Sequence, residues 1–427
     1  MKICTISFHS CPYSSLGGNG SGGMSVYLRE LTAGLVDFPH VSVDILTRAK
    51  DPICVEAKDI SPQIRVVQLR GGPETAIDRT DLYPFIPEFS KNLEEYIHRQ
   101  KEDYDIVHSH YWLSGLAGIF IKRKLGLPLV HTYHTLGFIK RRALGQKEHS
   151  NRANSERYIA NDSDLIISPS KEERESLVKE YGISPSKVEV VHPGVNPRLF
   201  YPGENRVFLN KKGIRKDDFI LLFVGRIEPV KGLALVIEAL KIMKQKNPLL
   251  FEKTKLLVIG GGKMEEELFE NEEVSRIEAQ AEQIGLENKV SFLGSIDHSK
   301  LRKYYSVADA LIVPSLYESF GLVTVEALAC GTPIIVSQVG RMRNIVKEGK
   351  NGFSFRPGDP VSLLHAIENL FDHRKKLWSV ASVREDVVRR FSWDRTAEKI
   401  YRIFEELLKI DFRSKTIFQH GESLPPT

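Results

Sequence analysis

Short apolar runs alternate with amphipathic stretches along nearly the whole chain. Runs of strand length occur at Ile3–Phe8, Val41–Leu46, Ile64–Leu69, Tyr104–His108, Pro128–His134, Leu165–Ser168 and Val188–His192. Helically spaced apolar positions fill several of the gaps, as at Met24–Leu35, Phe85–His98, Leu113–Lys124 and Lys171–Tyr181. Near-continuous apolar strands separated by helices predict a parallel sheet covered on both faces. The rhythm stops at His192–Gly203, where three prolines and two glycines mark a turn-rich connection. It restarts with strand-like Phe219–Val224, Leu256–Ile259, Val290–Leu293, Ala310–Val313 and Pro333–Val336. Helical patterns accompany them at Leu233–Lys244, Glu266–Ile284, Ser299–Ala308, Gly321–Ala329, Pro360–Phe371, Lys375–Arg390 and Trp393–Ile410.

This pattern predicts an α/β protein with two doubly wound, Rossmann-like domains, residues 1–195 and 205–390. Residues 391–410 read as a closing helix and 411–427 as a polar, frayed tail. In open parallel sheets ligands bind outside the carboxyl ends of the strands. Two such halves facing a cleft imply two substrates, one on each.

Composition narrows the class. The 427 residues carry 60 Lys+Arg against 55 Asp+Glu, a net charge of +5, with 41% hydrophobic and 27% charged residues. These values exclude a disordered chain, a collagen-like chain and a small disulfide scaffold. So small a charge on so long a chain gives no argument for a nucleic-acid partner. It suits phosphate-bearing small molecules or an anionic membrane surface equally well. Cys4, Cys11, Cys54 and Cys330 form no CxxC pair and read as free thiols in a reducing compartment. No run approaches the roughly 18 apolar residues of a membrane helix, so a cytoplasmic protein is predicted.

Three segments carry candidate chemistry. The loop Gly17–Met24 contains Gly18, Gly20 and Gly23 in the dinucleotide-binding spacing, with Asp44 about 20 residues on. That fingerprint belongs directly after a strand, yet His9–Gly17 intervenes. A longer glycine loop opening a helix still suits an anion or a sugar; the plain alternative is a flexible loop. Next, Phe223–Gly232 places Arg226 and Lys231 between a strand and a helix. Together they can neutralise a diphosphate leaving group without a metal; otherwise they are solvated cations. The third segment, Pro314–Pro333, holds Glu318 in a loop and Glu326 on the following helix, whose start near Ser319–Leu322 offers free N–H groups. Two carboxylates can each accept paired hydroxyl hydrogen bonds, as a sugar and a ribose require. Alternatively Glu318 is a helix N-terminal charge and Glu326 a surface residue.

Glu318-x7-Glu326, Arg226 with Lys231, and the Gly22-Gly23 loop together resemble the family 4 retaining glycosyltransferases of the GT-B fold, over about Met1 to Ile410. Ser21–Tyr27, His108–Gly115 and Leu129–Leu136 are similar to its D-inositol-3-phosphate glycosyltransferase group, with the sucrose-phosphate synthase group next. The resemblance implies a nucleotide-sugar donor and a phosphorylated small-molecule acceptor. Arg226 and Lys231 would bind the donor diphosphate, Glu326 the nucleotide ribose, and Glu318 the transferred sugar, with backbone N–H groups of Ser319, Phe320, Gly321 and Leu322. His134 would contact the sugar's 6-position, and Gly22 and Gly23 would lie against the donor phosphates. Glu318, His134, Arg226 and Lys231 would form the catalytic set. Arg79, Tyr111, Thr135 and Arg152 would bind the acceptor phosphate. No metal or other cofactor is implied. The last helix would cross back to the first domain.

Three positions depart from the family pattern: Ser25 stands for an Asn that touches the inositol ring, Gly20 for an acidic residue of the loop, and Arg341 for a second Gly after Gly340. Asp103-Tyr104-Asp105 imitates a metal-binding DxD triplet but runs into a strand, so it reads as strand-entry charge. His108 and His110 share a strand face without a carboxylate or cysteine at ligand spacing. Basic clusters at Lys140–Arg142 and at Lys211–Lys212 through Arg215–Lys216 read as solvated faces; the first also suits an anionic acceptor or a membrane surface.

The sequence therefore predicts a retaining hexosyltransferase using a nucleotide sugar, UDP-glucose or UDP-N-acetylglucosamine, and an acceptor such as inositol phosphate or fructose-6-phosphate. Three alternatives stand beside it: a membrane-surface transferase extending a lipid-linked or polysaccharide glycan, a non-catalytic nucleotide-sugar-binding protein, and an NAD-dependent oxidoreductase. Peripheral membrane contact and a homodimer are left open.

Overall fold

The structure is a computed structural model describing residues 1–13, 22–51, 56–101, 103–145, 151–203, 208–209, 214–261, 272–376 and 379–419. Cys54, Gly20, Lys211 and Lys212 lie outside these residues, as does the glycine loop ahead of Gly22.

The first sheet is built from β1 (Lys2–Ile6), β2 (Ser42–Arg48), β3 (Ala57–Ser61), β4 (Ile64–Leu69), β5 (Ile106–His110), β6 (Leu129–Thr132), β7 (Leu165–Ser168) and β8 (Val188–Val190). Its order is β3-β4-β2-β1-β5-β6-β7-β8, parallel except for the antiparallel β3 edge. The second sheet comprises β9 (Phe219–Val224), β10 (Thr254–Ile259), β11 (Val290–Phe292), β12 (Ala310–Val313), β13 (Ile334–Ser337) and β14 (Gly352–Phe355). Its order is β11-β10-β9-β12-β13-β14, with every pairing parallel.

Strand alternation explains why the apolar runs became buried strands. On β9, Phe219, Leu221 and Phe223 face one core, while Ile220 and Leu222 face the other. On β1, Ile3 faces one core and Cys4 and Ile6 its opposite. Side chains that alternate across a pleat and are apolar at every position demand cover on both faces. Strand order reverses at β1/β5 and at β9/β12, the places where such sheets open a crevice.

Two crossings join the halves. Val195 and Phe200 already belong to the second core. The return crossing pairs Ser392 with Val195, and Thr396 Oγ1 donates to the His192 carbonyl at 2.7 Å. The helix Trp393–Gln419 then packs on the first domain, where Trp393, Ala397, Ile400 and Phe404 share a core with Tyr27 and Leu31 of the Gly23–Leu35 helix.

Several elements differ from the sequence reading. The helix read as ending at residue 410 continues to Gln419, so residues 411–419 of the polar segment are helical. β3 escaped notice because its exposed, charged sequence AKDIS sits at a sheet edge. Helices Gly137–Leu144, Arg152–Asp162, Pro248–Lys253 and Met342–Ile345 were also unforeseen.

Candidate active site

A cavity of about 860 Å³ lies between the two domains, at the carboxyl ends of β1, β5 and β6 on one side and β9 and β12 on the other. Among the residues singled out from the sequence, Gly22, Gly23, Arg79, Tyr111, His134, Thr135, Arg226, Lys231, Glu318–Leu322 and Glu326 all line it. Arg152 does not.

On the second domain, Arg226 follows the glycine turn after β9, and Lys231 ends the next short turn. Lys231 Nζ donates to Glu318 Oε2 at 2.6 Å. Arg226 Nη1 lies 2.6 Å from Glu228 Oε1. The loop after β12 brings Glu318 to the cavity, and Gly321 turns it into the helix Leu322–Ala329 with φ 83°. That left-handed backbone favours glycine, and a Cβ there would also displace the end of the Met342 side chain. The first N–H groups of this helix therefore start at the cavity wall, the arrangement that suits an anion.

Glu326 is 4% exposed, which removes the surface reading of this residue. His298 Nε2 lies 2.7 Å from its Oε1, and the Tyr305 hydroxyl donates to its Oε2 at 2.9 Å. Neither partner was visible in the sequence, because each meets Glu326 only through the fold.

On the first domain, Tyr111 and His134 end adjacent strands β5 and β6 with positive φ, 73° and 62°. Such backbone in non-glycine residues is costly and persists where surrounding structure imposes it. His134 Nε2 is 3.0 Å from His110 Nδ1, and its ring meets Tyr27 edge-on. Burial holds the His134 pKa down at about 3, so the ring is neutral at physiological pH. Arg79 reaches across the cavity to within 3.9 Å of Glu228, which thereby stands between the arginines of both domains. Arg152 is 3% exposed beneath this surface. Its guanidinium donates to Thr135 O at 2.9 Å, Thr135 Oγ1 at 3.0 Å and Glu156 Oε1 at 2.8 Å, with its plane near the Tyr111 ring. Lys50, His9 and Glu228 line the cavity as well, and no motif had pointed to them.

The departing residues have clear placements where described. Ser25 is fully buried, and its hydroxyl lies 2.9 Å from that of Ser10, a residue of the cavity wall. Arg341 is buried against the rings of Phe320 and Phe391. Asp105 Oδ2 accepts from the Lys2 amide at 2.6 Å, a strand-entry contact. His108 Nε2 meets Thr132 Oγ1 at 3.0 Å. Among the described residues, no helix is long and apolar enough to cross a membrane.

Comparison with known proteins gives this geometry a family. The profile of the glycosyl transferases group 1 matches residues 205–381, and that of glycosyltransferase family 4 matches residues 21–199. The chain is 33% identical to D-inositol 3-phosphate glycosyltransferase 2 of Catenulispora acidiphila, over 96% of this chain and 97% of that one. Its structure is similar to sucrose-phosphate synthase from Thermosynechococcus elongatus, with TM-score 0.85, 29% identity, and coverage of 96% and 99%. A more distant likeness, TM-score 0.73 at 19% identity over 95% and 100%, is to Anabaena HepE, solved with UDP and glucose. Matched end to end and in both halves, the chain belongs to the group 1 and family 4 glycosyltransferases and has the GT-B fold.

Proposed function

We propose that this glycosyltransferase moves a hexosyl group, with retention at the anomeric carbon, from UDP-glucose or UDP-N-acetylglucosamine to a small phosphorylated polyol or sugar. Inositol phosphate and fructose-6-phosphate are the acceptors this reading favours. One observation carries it: cations face each other across one cavity, Arg226 and Lys231 on one domain, Arg79 on the other. A diphosphate on one wall and a monophosphate on the other would use both sets. The names of the relative from C. acidiphila and of the sucrose-phosphate synthase support a phosphorylated acceptor.

In this mechanism the bond from the anomeric carbon to the diphosphate oxygen breaks while the acceptor oxygen bonds to the same face of that carbon. The acceptor's hydroxyl proton passes to the departing diphosphate. Arg226, Lys231 and the first N–H groups of the Leu322–Ala329 helix stabilise the charge that develops there, so the reading requires no metal. Glu318 accepts from the sugar's hydroxyls while held by Lys231. Neutral His134 contacts the 6-hydroxyl. Arg152 orders Thr135 and Tyr111 from beneath, and Arg79 makes the exposed contact to the acceptor phosphate.

The test is nucleotide release from each donor, without added metal, over inositol-3-phosphate, fructose-6-phosphate and their unphosphorylated forms. Stimulation by a phosphorylated acceptor, abolished in Arg79→Ala, supports the reading. Nucleotide binding without stimulation by any of them refutes the acceptor assignment. A second reading, glycan extension at a membrane, draws on the exposed Arg141 and Arg142, which follow Thr135 in the sequence. It predicts stimulation by lipid-linked acceptors in anionic vesicles instead.

A further inference from the structure

The Gly23–Leu35 helix belongs to the first domain, yet two of its parts touch the second. At its start, a Cβ on Gly23 would lie 3.6 Å from Leu322 Cδ1, and one on Gly22 3.9 Å from Arg226 Nε. Further along, Arg29 Nη2 lies 3.2 Å from His298 Nδ1. A guanidinium only donates, so Nδ1 accepts and the ring's proton sits on Nε2. That proton points to Glu326 Oε1, 2.7 Å away. The Phe200 ring packs edge-on against His298 and restricts its rotation. Tyr305 occupies the other carboxylate oxygen, so each oxygen of Glu326 keeps one lone pair for a ligand.

We infer that Arg29 and His298 are positioning residues for the donor, through which docking of the first domain fixes the Glu326 carboxylate that receives the nucleotide ribose. Arg29 lies on the opposite domain and is not part of the cavity wall, whereas His298 and Glu326 are. The ribose site is therefore completed by closure. By linkage, donor binding favours the closed arrangement to the same extent. This deepens the proposed donor reading and rests on it.

The experiment measures calorimetric affinity for UDP and for 2′,3′-dideoxy-UDP, which lacks the hydroxyls Glu326 would hold. Wild-type protein is compared with Arg29→Met, His298→Leu and His298→Gln. Gln offers an amide N–H to Glu326 and a carbonyl to Arg29, so it imitates the neutral imidazole. The inference expects wild type to prefer UDP, Arg29→Met and His298→Leu to lose about tenfold in UDP affinity together with most of that preference, and His298→Gln to retain both. If His298→Leu fails to fold, Arg29→Met and His298→Gln carry the comparison. Full affinity and full preference in Arg29→Met overturn the inference and leave the donor reading intact. Absence of any preference in wild type overturns the ribose role of Glu326 itself, and the inference with it.

Discussion

Lys231 Nζ and Glu318 Oε2 stand 2.6 Å apart on the wall of the cleft, joining the ends of two strand-to-helix loops that are 87 residues apart in sequence. Neither side chain is fully buried, at 23% and 14% exposure. Each therefore has room for a second partner. The ammonium can hold a diphosphate oxygen while steadying the carboxylate, and the carboxylate can accept sugar hydroxyls without carrying an uncompensated charge.

Removing the ammonium should cost more than removing a surface ion pair. On the proposed mechanism, Lys231→Ala deletes a charge-stabilising donor and frees Glu318 to repel the diphosphate. The expected loss is on the order of 10²-fold in kcat. Lys231→Arg should not restore activity, because a planar fork does not replace a compact point charge in this geometry. Steady-state kinetics on both variants, with melting curves to confirm folding, check this. Near-normal turnover in Lys231→Ala would remove the pair from the mechanism.

Arg152 should behave as a structural residue first. Glu156 is fully buried and accepts from Arg152 Nε, from the Gly137 amide and from the Tyr181 hydroxyl. Taking away the guanidinium leaves a buried carboxylate without its counter-ion, at a cost of about 3–5 kcal/mol. Arg152→Ala should therefore melt well below wild type, and Arg152→Met with Glu156→Gln should recover much of the loss. Chemical denaturation of the single and double variants measures the coupling. Additive effects would refute it.

Much of this was legible in the chain. Strands buried on both faces announce themselves as apolar runs, and Ile64–Leu69, Leu165–Ser168, Phe219–Val224 and Ala310–Val313 fall where the pattern put them. Arg226, Lys231 and Glu318 sit on loops after strands and Glu326 on the helix that follows, so spacing marked them as candidates and the family resemblance supplied their expected roles. Residues that support the site were not visible for physical reasons. Glu156 lies on a helix, RANSERYIAND, whose polar positions hide any amphipathic period. His298 meets Glu326 from 28 residues away, and Arg29 meets His298 from 269. The burial of Arg152 depends on the same tertiary packing, so its likeness to a ligand position concealed its hydrogen bonds to Thr135.

Gly232 ties backbone conformation to the Lys231–Glu318 pair. It sits directly after Lys231 with φ 72°, and a Cβ on it would lie 2.2 Å from the Pro314 carbonyl oxygen. Pro314 opens the loop that carries Glu318. Gly232→Ala must therefore push apart the two loops whose side chains pair, besides adopting a backbone conformation unfavourable for alanine. Activity should fall at least tenfold, with a lowered melting temperature. Normal values of both would show that the loops yield without consequence.

The first domain should lose stability as pH falls below about 6.5, the ordinary histidine value. His108, His110 and His131 are at most 1% exposed. Burial holds His108 down at about 3 and pushes His110 and His131 well below their usual value. His9 and His134, less completely buried, are also held at about 3 by burial. In the unfolded chain these rings take up protons near pH 6.5, while in the folded chain they stay neutral. The unfolded state then binds more protons, so unfolding becomes easier as pH drops toward 3. Glu173 opposes this. Burial and the neighbouring Glu156 raise it to about 8, so the folded state keeps a proton that the unfolded state releases above about pH 4.5. Counting only the three most buried histidines against Glu173 leaves a net of about two protons, about 3 kcal/mol per pH unit between pH 6 and 5. Urea unfolding at pH 7, 6 and 5 measures the slope. Glu173→Gln should steepen it by about one proton in that window, because the opposing carboxyl is gone. A stability independent of pH from 7 to 5 would mean that the histidines take up protons in the folded state, which their burial among one another's rings forbids.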